Sequence, residues 1–175
     1  MPLDFYQGFG NFKTIVPLGI FSSMSDPPYP PRRRKDLGTW GETLVANWLT
    51  AQHWRLQAQQ WHCLGGEIDL IMVQGAANVE GQIAFVEVKT RSQGSWDADG
   101  VMAITRSKQR KLWKAAQLYL LSHPDWARAI CRFDVALVAC CWGKPPPNQP
   151  ERCLDLGDGR YLIVQEYIEQ AFTFP

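Results

Sequence analysis

Glu87 and Lys89 interrupt an apolar run, FVEVKTR, and Asp69 stands inside a second one, EIDLIMV. Val, Ile and Phe suit a half-buried pleated surface, whereas Glu and Lys are almost never fully buried without a partner. These charges therefore need compensation. Side chains alternate along a strand, which puts Ile83, Phe85, Glu87, Lys89 and Arg91 on one face and Ala84, Val86, Val88 and Thr90 on the other. Glu87 and Lys89 are then neighbours about 6.6 Å apart. If EIDLIMV pairs with this strand as a hairpin, Asp69 comes close to Glu87. Two carboxylates held together repel, and one is driven to protonate unless a cation sits between them. Mg²⁺, with Mn²⁺ as its substitute, meets the need: it takes oxygen ligands and uses one or two protein carboxylates, with water and substrate phosphate completing its shell. Asp69 and Glu87 are the expected metal ligands.

The elements that must hold these groups follow from periodicity. Leu37, Trp40, Gly41, Leu44, Val45, Trp48 and Leu49 keep the spacing of one helical face and predict a first helix. Glu42 falls in its first turn, on the flank of that stripe, where it can point along the sheet edge as a third acid. Gly41 costs a helix about 1 kcal/mol relative to Ala, which makes sense where backbone must approach a strand closely. Strands are expected over 55–61, 67–73 and 82–91, with CLGG as a turn and QGAANVEG closing a hairpin. A second helix is expected over 105–121, its stripe being Ile104, Leu112, Ala115, Ala116, Tyr119 and Leu120, with His123-Pro124 ending it. Arg106, Arg110 and Lys114 lie opposite that stripe, but Lys108 falls within about 40° of Leu112 and points toward the sheet. Lys108 and Arg91, which continues the Glu87 face, are the candidate contacts for substrate phosphate. CRFDVALVACCW is a fourth strand, apolar enough to be covered on both faces. GKPPPNQPE reads as an exposed loop, YLIVQEY as a fifth strand and the last residues as a short helix. The expected fold is α/β: a mixed central sheet flanked by helices, with an αβββαβ core.

Composition bounds what this site can belong to. The chain has 175 residues and 46% apolar content, enough for one domain over 36–175. Half of its 12 prolines precede residue 32, and SDPPYPPRRRK cannot bury enough apolar surface to order itself, so 1–35 reads as a flexible Pro-rich extension. No apolar run approaches the roughly 20 residues that cross a bilayer, which argues against a membrane partner. IVPLGIF is broken by Pro17 and lacks a small-residue cleavage site, unlike a signal peptide. The 5 cysteines are odd in number and form no C-x-x-C pair, which fits reduced thiols in the cytoplasm. Net charge is only +1, but seven basic residues face two acidic ones between Lys89 and Lys114, a local positive surface.

The helix with GE, then GEIDLI, then FVEVKTR, then the basic helix RSKQRKLWKAAQLYL and finally RFDV resembles the YraN-like family of nuclease-like proteins. That family sits within the restriction-endonuclease-like, PD-(D/E)XK superfamily, which includes Holliday-junction resolvases. The resemblance spans roughly residues 37–138. It implies that Asp69 and Glu87 bind the metal, that Lys89 is the motif lysine, and that Glu42 is the helix-borne acid of the resolvase branch. Ile68 stands where the superfamily's name has proline. The implied activity is Mg²⁺-dependent endonucleolytic hydrolysis of DNA, branched or flapped forms included. A metal-bound water would attack the phosphate, and Lys89 would orient that water, act as its base or neutralise the developing oxyanion. Glu42 would complete the shell, hold a second ion or orient water. Symmetric cutting of two strands would call for a homodimer.

Each group also has an ordinary reading. Asp69, Glu87 and Lys89 singly read as an edge-strand salt bridge, and an acid in a first helical turn complements the helix dipole anyway. Asp134 in RFDV reads as a structural cap or pair. DADG lacks the third oxygen of a calcium loop, since Val101 stands there. His53, His62 and His123 have no zinc spacing, and LGG precedes a strand, so it is no phosphate loop. Two rival functions stay open: a nucleic-acid-binding module of the same fold without significant catalysis, and an interaction adaptor using the Pro-rich extension.

Overall fold

The computed structural model describes residues 34–76, 81–92 and 104–173. In chain order these form α1 (Arg34–Thr50), β1 (Arg55–Cys63), β2 (Gly66–Gln74), β3 (Gln82–Ser92), α2 (Arg106–Ser122), β4 (Ile130–Trp142), β5 (Cys153–Asp155) and β6 (Arg160–Phe172). The strands make one mixed sheet in the order β1-β2-β3-β4-β6-β5. β3 and β4 run parallel and the remaining neighbours antiparallel. The connection between the parallel pair carries α2, as a parallel crossover requires. The Pro-rich extension up to residue 33, the tip of the expected β2–β3 hairpin and the loop with Trp96 and DADG lie outside the described residues.

Each face of the sheet buries its own core. On one side α1 sets Leu44, Val45, Ala46 and Leu49 against Leu70, Met72, Ala84, Val86, Val88, Ala136 and Val138. On the other, α2 sets Leu112, Ala115, Ala116 and Tyr119 against Ile71, Val73, Ile83, Phe85, Phe133, Val135 and Leu137. The period-two alternation expected for β3 is therefore observed, Phe85 facing α2 and Val86 facing α1. β4, flanked by β3 and β6, is buried from Phe133 to Cys141.

Helix α1 starts at Arg34, three residues before the first apolar position of its stripe. The short C-terminal helix expected from sequence is not formed: β6 continues as a strand to Phe172, and β5, not anticipated, pairs with it. Partners elsewhere in the chain decide this. Phe133 pairs with Phe172 in the ladder and their rings stack with centroids 4.9 Å apart. Between Phe133 and Val135 the register shifts, and there the buried Asp134 takes up the irregularity. Its Oδ1 accepts the Gln170 N–H at 2.9 Å and its Oδ2 accepts the Tyr167 hydroxyl at 2.6 Å. Arg132 Nε lies 2.9 Å from Oδ2, and the Arg132 guanidinium also packs over Trp54 at 4.8 Å. Asp134 is thus a structural pair, as its sequence context suggested.

Candidate functional site

The β2–β3 ladder runs from Gln74↔Gln82 to Leu70↔Val86 and ends there. The next residues along the two strands are Asp69 and Glu87, so the acids face each other where the strands part. Asp69 Oδ2 accepts the Val88 N–H at 2.7 Å, a carboxylate taking the place of a ladder carbonyl. Glu87 is 1% exposed. Its Oε1 accepts from the Lys89 ammonium, and Lys108 Nζ lies 3.2 Å from Oε2. Oε2 nevertheless has no well-directed hydrogen bond. Lys108 comes from the first turn of α2, whose cap is the Thr105 hydroxyl accepting the Lys108 N–H at 3.2 Å. The expected direction of Lys108, toward the sheet, is therefore observed.

Glu42 enters from the other side of the sheet. Gln59 Nε2 on β1 donates to its Oε2 at 3.2 Å, and only 9% of the residue is exposed. Gly41 explains how α1 gets so near: a Cβ there would sit 2.1 Å from Thr90 Oγ1 on β3, so no other residue fits without movement. The close approach anticipated from this glycine is present.

The electrostatics identify where the unbalanced charge lies. The Asp69 carboxyl is pushed up to about 7. Burial is the largest cause, and the negative charges of Glu87 and then Glu42 add to it, while the Val88 N–H and Lys108 oppose it. For Lys108, burial acts to lower the ammonium, but Glu87, Asp69 and Glu67 outweigh it and the net direction is up. A carboxyl whose proton affinity is raised by neighbouring negative charge, as at Asp69, favours other cations for the same reason, and an all-oxygen donor pair suits a hard divalent ion. Asp69 and Glu87 fit such an ion on these grounds. Glu42 acts on Asp69 by charge, yet among the described residues no group of three or more His, Cys, Asp or Glu side chains stands ready to hold a metal.

A model of the uncharacterised protein family UPF0102 matches residues 41–138, a span holding every candidate residue named so far. The chain belongs to this family. A UPF0102 protein of Acaryochloris marina is 43% identical over 169 residues, covering 83% of this chain and 96% of that protein. One of Synechocystis is 48% identical over 149 residues, covering 78% and 97%, and one of Thermosynechococcus vestitus is 50% identical over 104 residues, covering 59% and 81%. The matched span of this UPF0102 chain begins at Gly41, the residue that seats α1 against β3, and ends within β4.

Arg91 is not drawn into the cluster: it is exposed, and its Nη1 approaches the Thr90 carbonyl at 3.4 Å. Two residues were missed. Glu67 Oε1 lies 3.5 Å from Lys108 Nζ and its Oε2 lies 3.7 Å from His62 Nδ1. Its position two residues before Asp69, on the same strand face, is the signal that could have found it. Gln59 carried no signal, because only the packing of α1 over β1 brings it to Glu42. The CLGG turn also does more than turn: Gly65 and Gly66 pack on α2, with Lys111 Cβ 3.2 Å from where a Gly66 Cβ would be. Close contact and the positive φ of 143° both require glycine there.

Proposed function

We propose that this UPF0102 protein is a divalent-metal-dependent nuclease of the restriction-endonuclease-like type, hydrolysing phosphodiester bonds in DNA, with branched or flapped forms among its substrates. The observation that carries this reading is the buried Glu87 and the half-buried Asp69 facing each other at the parting of two strands with lysines beside them. A bound Mg²⁺ or Mn²⁺ would lower the pKa of an attacking water and polarise the phosphate. Asp69 and Glu87 would hold that ion. Asp69, anchored by the Val88 N–H, keeps one oxygen fixed and its other oxygen available. Lys89 stays within reach of Glu87 and presents its ammonium to water or to a phosphate oxygen. Glu42, held by Gln59, adds negative charge that favours cation binding and can orient water. Lys108 and the basic outer face of α2 attract the polyanion.

The test uses metal-free protein, Glu87→Gln and Asp69→Asn, with linear, flapped and four-way DNA in Mg²⁺ and in Mn²⁺. Wild type should cleave at least one substrate and both variants should lose cleavage by about 10²-fold or more. Undiminished cleavage by Glu87→Gln would refute the assignment. One observation favours a second reading, a binding module without significant catalysis: both Glu87 oxygens already have a lysine ammonium beside them. Five phosphate contacts would give either reading a log K against log salt slope of about −4.5, so turnover is what separates them.

A further inference from the structure

Lys108 has company that an ordinary surface lysine lacks. Its ammonium lies 3.2 Å from Glu87 and 3.5 Å from Glu67, and its charge also acts on Asp69. Two carboxylates thus lie beside one positive charge on the first turn of α2, and a third acts on it by charge. Glu87 is almost fully buried, whereas the Glu67 side chain is 54% exposed. The lysine therefore has an inner seat, at the buried acid, and an outer seat, at a wet one.

A buried carboxylate without a counter-ion is costly, so the free protein needs a positive charge where the acids meet. A divalent cation drawn to Asp69 and Glu87 brings two charges into the same space and repels the ammonium. The two cations therefore compete for one set of oxygens. Lys89 differs from Lys108 in this respect: it shares a strand with Glu87 and pairs with Oε1, whereas Lys108 comes from another element on a four-carbon stem and approaches Oε2, which has no directed hydrogen bond.

We propose that Lys108 is a built-in placeholder cation, occupying the inner seat in the metal-free protein, yielding it to a divalent ion, and moving toward Glu67 where its ammonium can meet a substrate phosphate. This rests on the metal-dependent reading above and adds regulation to the same site. Lys108 keeps the empty site folded, lowers its affinity for metal, and couples metal entry to the release of a phosphate-binding group. Glu67 acts through Lys108 and is a positioning residue.

Metal affinity, read without cleavage, tests this. Mn²⁺ binding to the full-length chain is measured by electron paramagnetic resonance and calorimetry for wild type, Lys108→Met, Glu67→Gln and the double variant. Coupling between ligands at distinct sites is typically 5–150-fold, and a cation competing for the same oxygens acts no more weakly, so Lys108→Met should bind Mn²⁺ at least about fivefold tighter than wild type. Its melting temperature in chelator should fall and be restored by Mn²⁺. Glu67→Gln should weaken Mn²⁺ binding in the wild-type background and leave it nearly unchanged in the Lys108→Met background, because the outer seat matters only to the lysine. Equal or weaker binding by Lys108→Met, or an equal effect of Glu67→Gln in both backgrounds, overturns the placeholder while leaving the metal site intact. Absence of Mn²⁺ binding in every variant overturns both.

Discussion

Replacing Asp69 by Asn should stabilise the metal-free protein, and increasingly so as pH rises. The carboxyl moves from 3.8 in the unfolded chain to about 7 in the fold, about three units, each equivalent to about 1.36 kcal/mol. The folded state holds a proton that the unfolded chain has released, so stability falls with rising pH between those two values. Below the unfolded value both states are protonated and nothing is lost; above the folded value the loss is complete. Integrating over that window, Asp69 costs about 2 kcal/mol at about pH 5 and about 4 kcal/mol at about pH 8. Asn keeps an oxygen to accept the Val88 N–H and has no charge to desolvate. In chelator, the stability advantage of Asp69→Asn should therefore grow by about 2–3 kcal/mol between about pH 5 and about pH 8. At about 2–4 °C per kcal/mol the melting temperatures should separate by a further 5–10 °C or so. Thermal and urea unfolding of the two proteins at both pH values measure this. The other titrating groups cancel in the comparison to first order. Adding Mg²⁺ at the higher pH should favour wild type and close the gap. A gap that does not change with pH, or that shrinks, would refute the claim that buried like charge sits at Asp69.

Three further outcomes follow from the same geometry. Glu42→Gln should move the Asp69 titration midpoint down, because one of the charges raising it is removed; carboxyl-carbon NMR reads this directly, and an unmoved midpoint means the two acids are not coupled. Gly41→Ala should destabilise by about 1–3 kcal/mol in urea, since the new methyl meets Thr90 Oγ1, and Thr90→Ala in the same chain should recover most of that loss. Asp134→Ala should cost about 3 kcal/mol, the lower end for a broken buried pair, because Arg132 keeps Glu169 as a partner at 3.0 Å, whereas Tyr167→Phe, which removes one hydrogen bond to a charged acceptor, should cost about 1.5–3 kcal/mol.

Elements whose residues report their own environment were legible in the sequence. The stripe of α1, the alternation in β3, the apolar run of β4 and the inward direction of Lys108 all follow from side-chain period, and the structure has them. Gly41 was legible as well, because a glycine inside a helical stripe points to a close neighbour, although Thr90 as that neighbour was not. The sequence alone also established that Asp69 and Glu87 could share a face of a hairpin. Whether they meet was decided by register: Leu70 pairs with Val86, and the ladder stops one step short of the acids. β6 shows the same limit from the other side. Tyr167 to Phe172 carries no strong local preference for strand, and pairing with β4, the Phe133 stack and the Asp134 hydrogen bonds extend the strand there. Glu67 took its Lys108 partner from 41 residues away, and Gln59 took Glu42 from the helix packed over its strand. Periodicity is a property of neighbours along the chain and survives in the sequence; the charge balance around Glu87 is a sum over β2, β3 and α2, and exists only once those elements are packed.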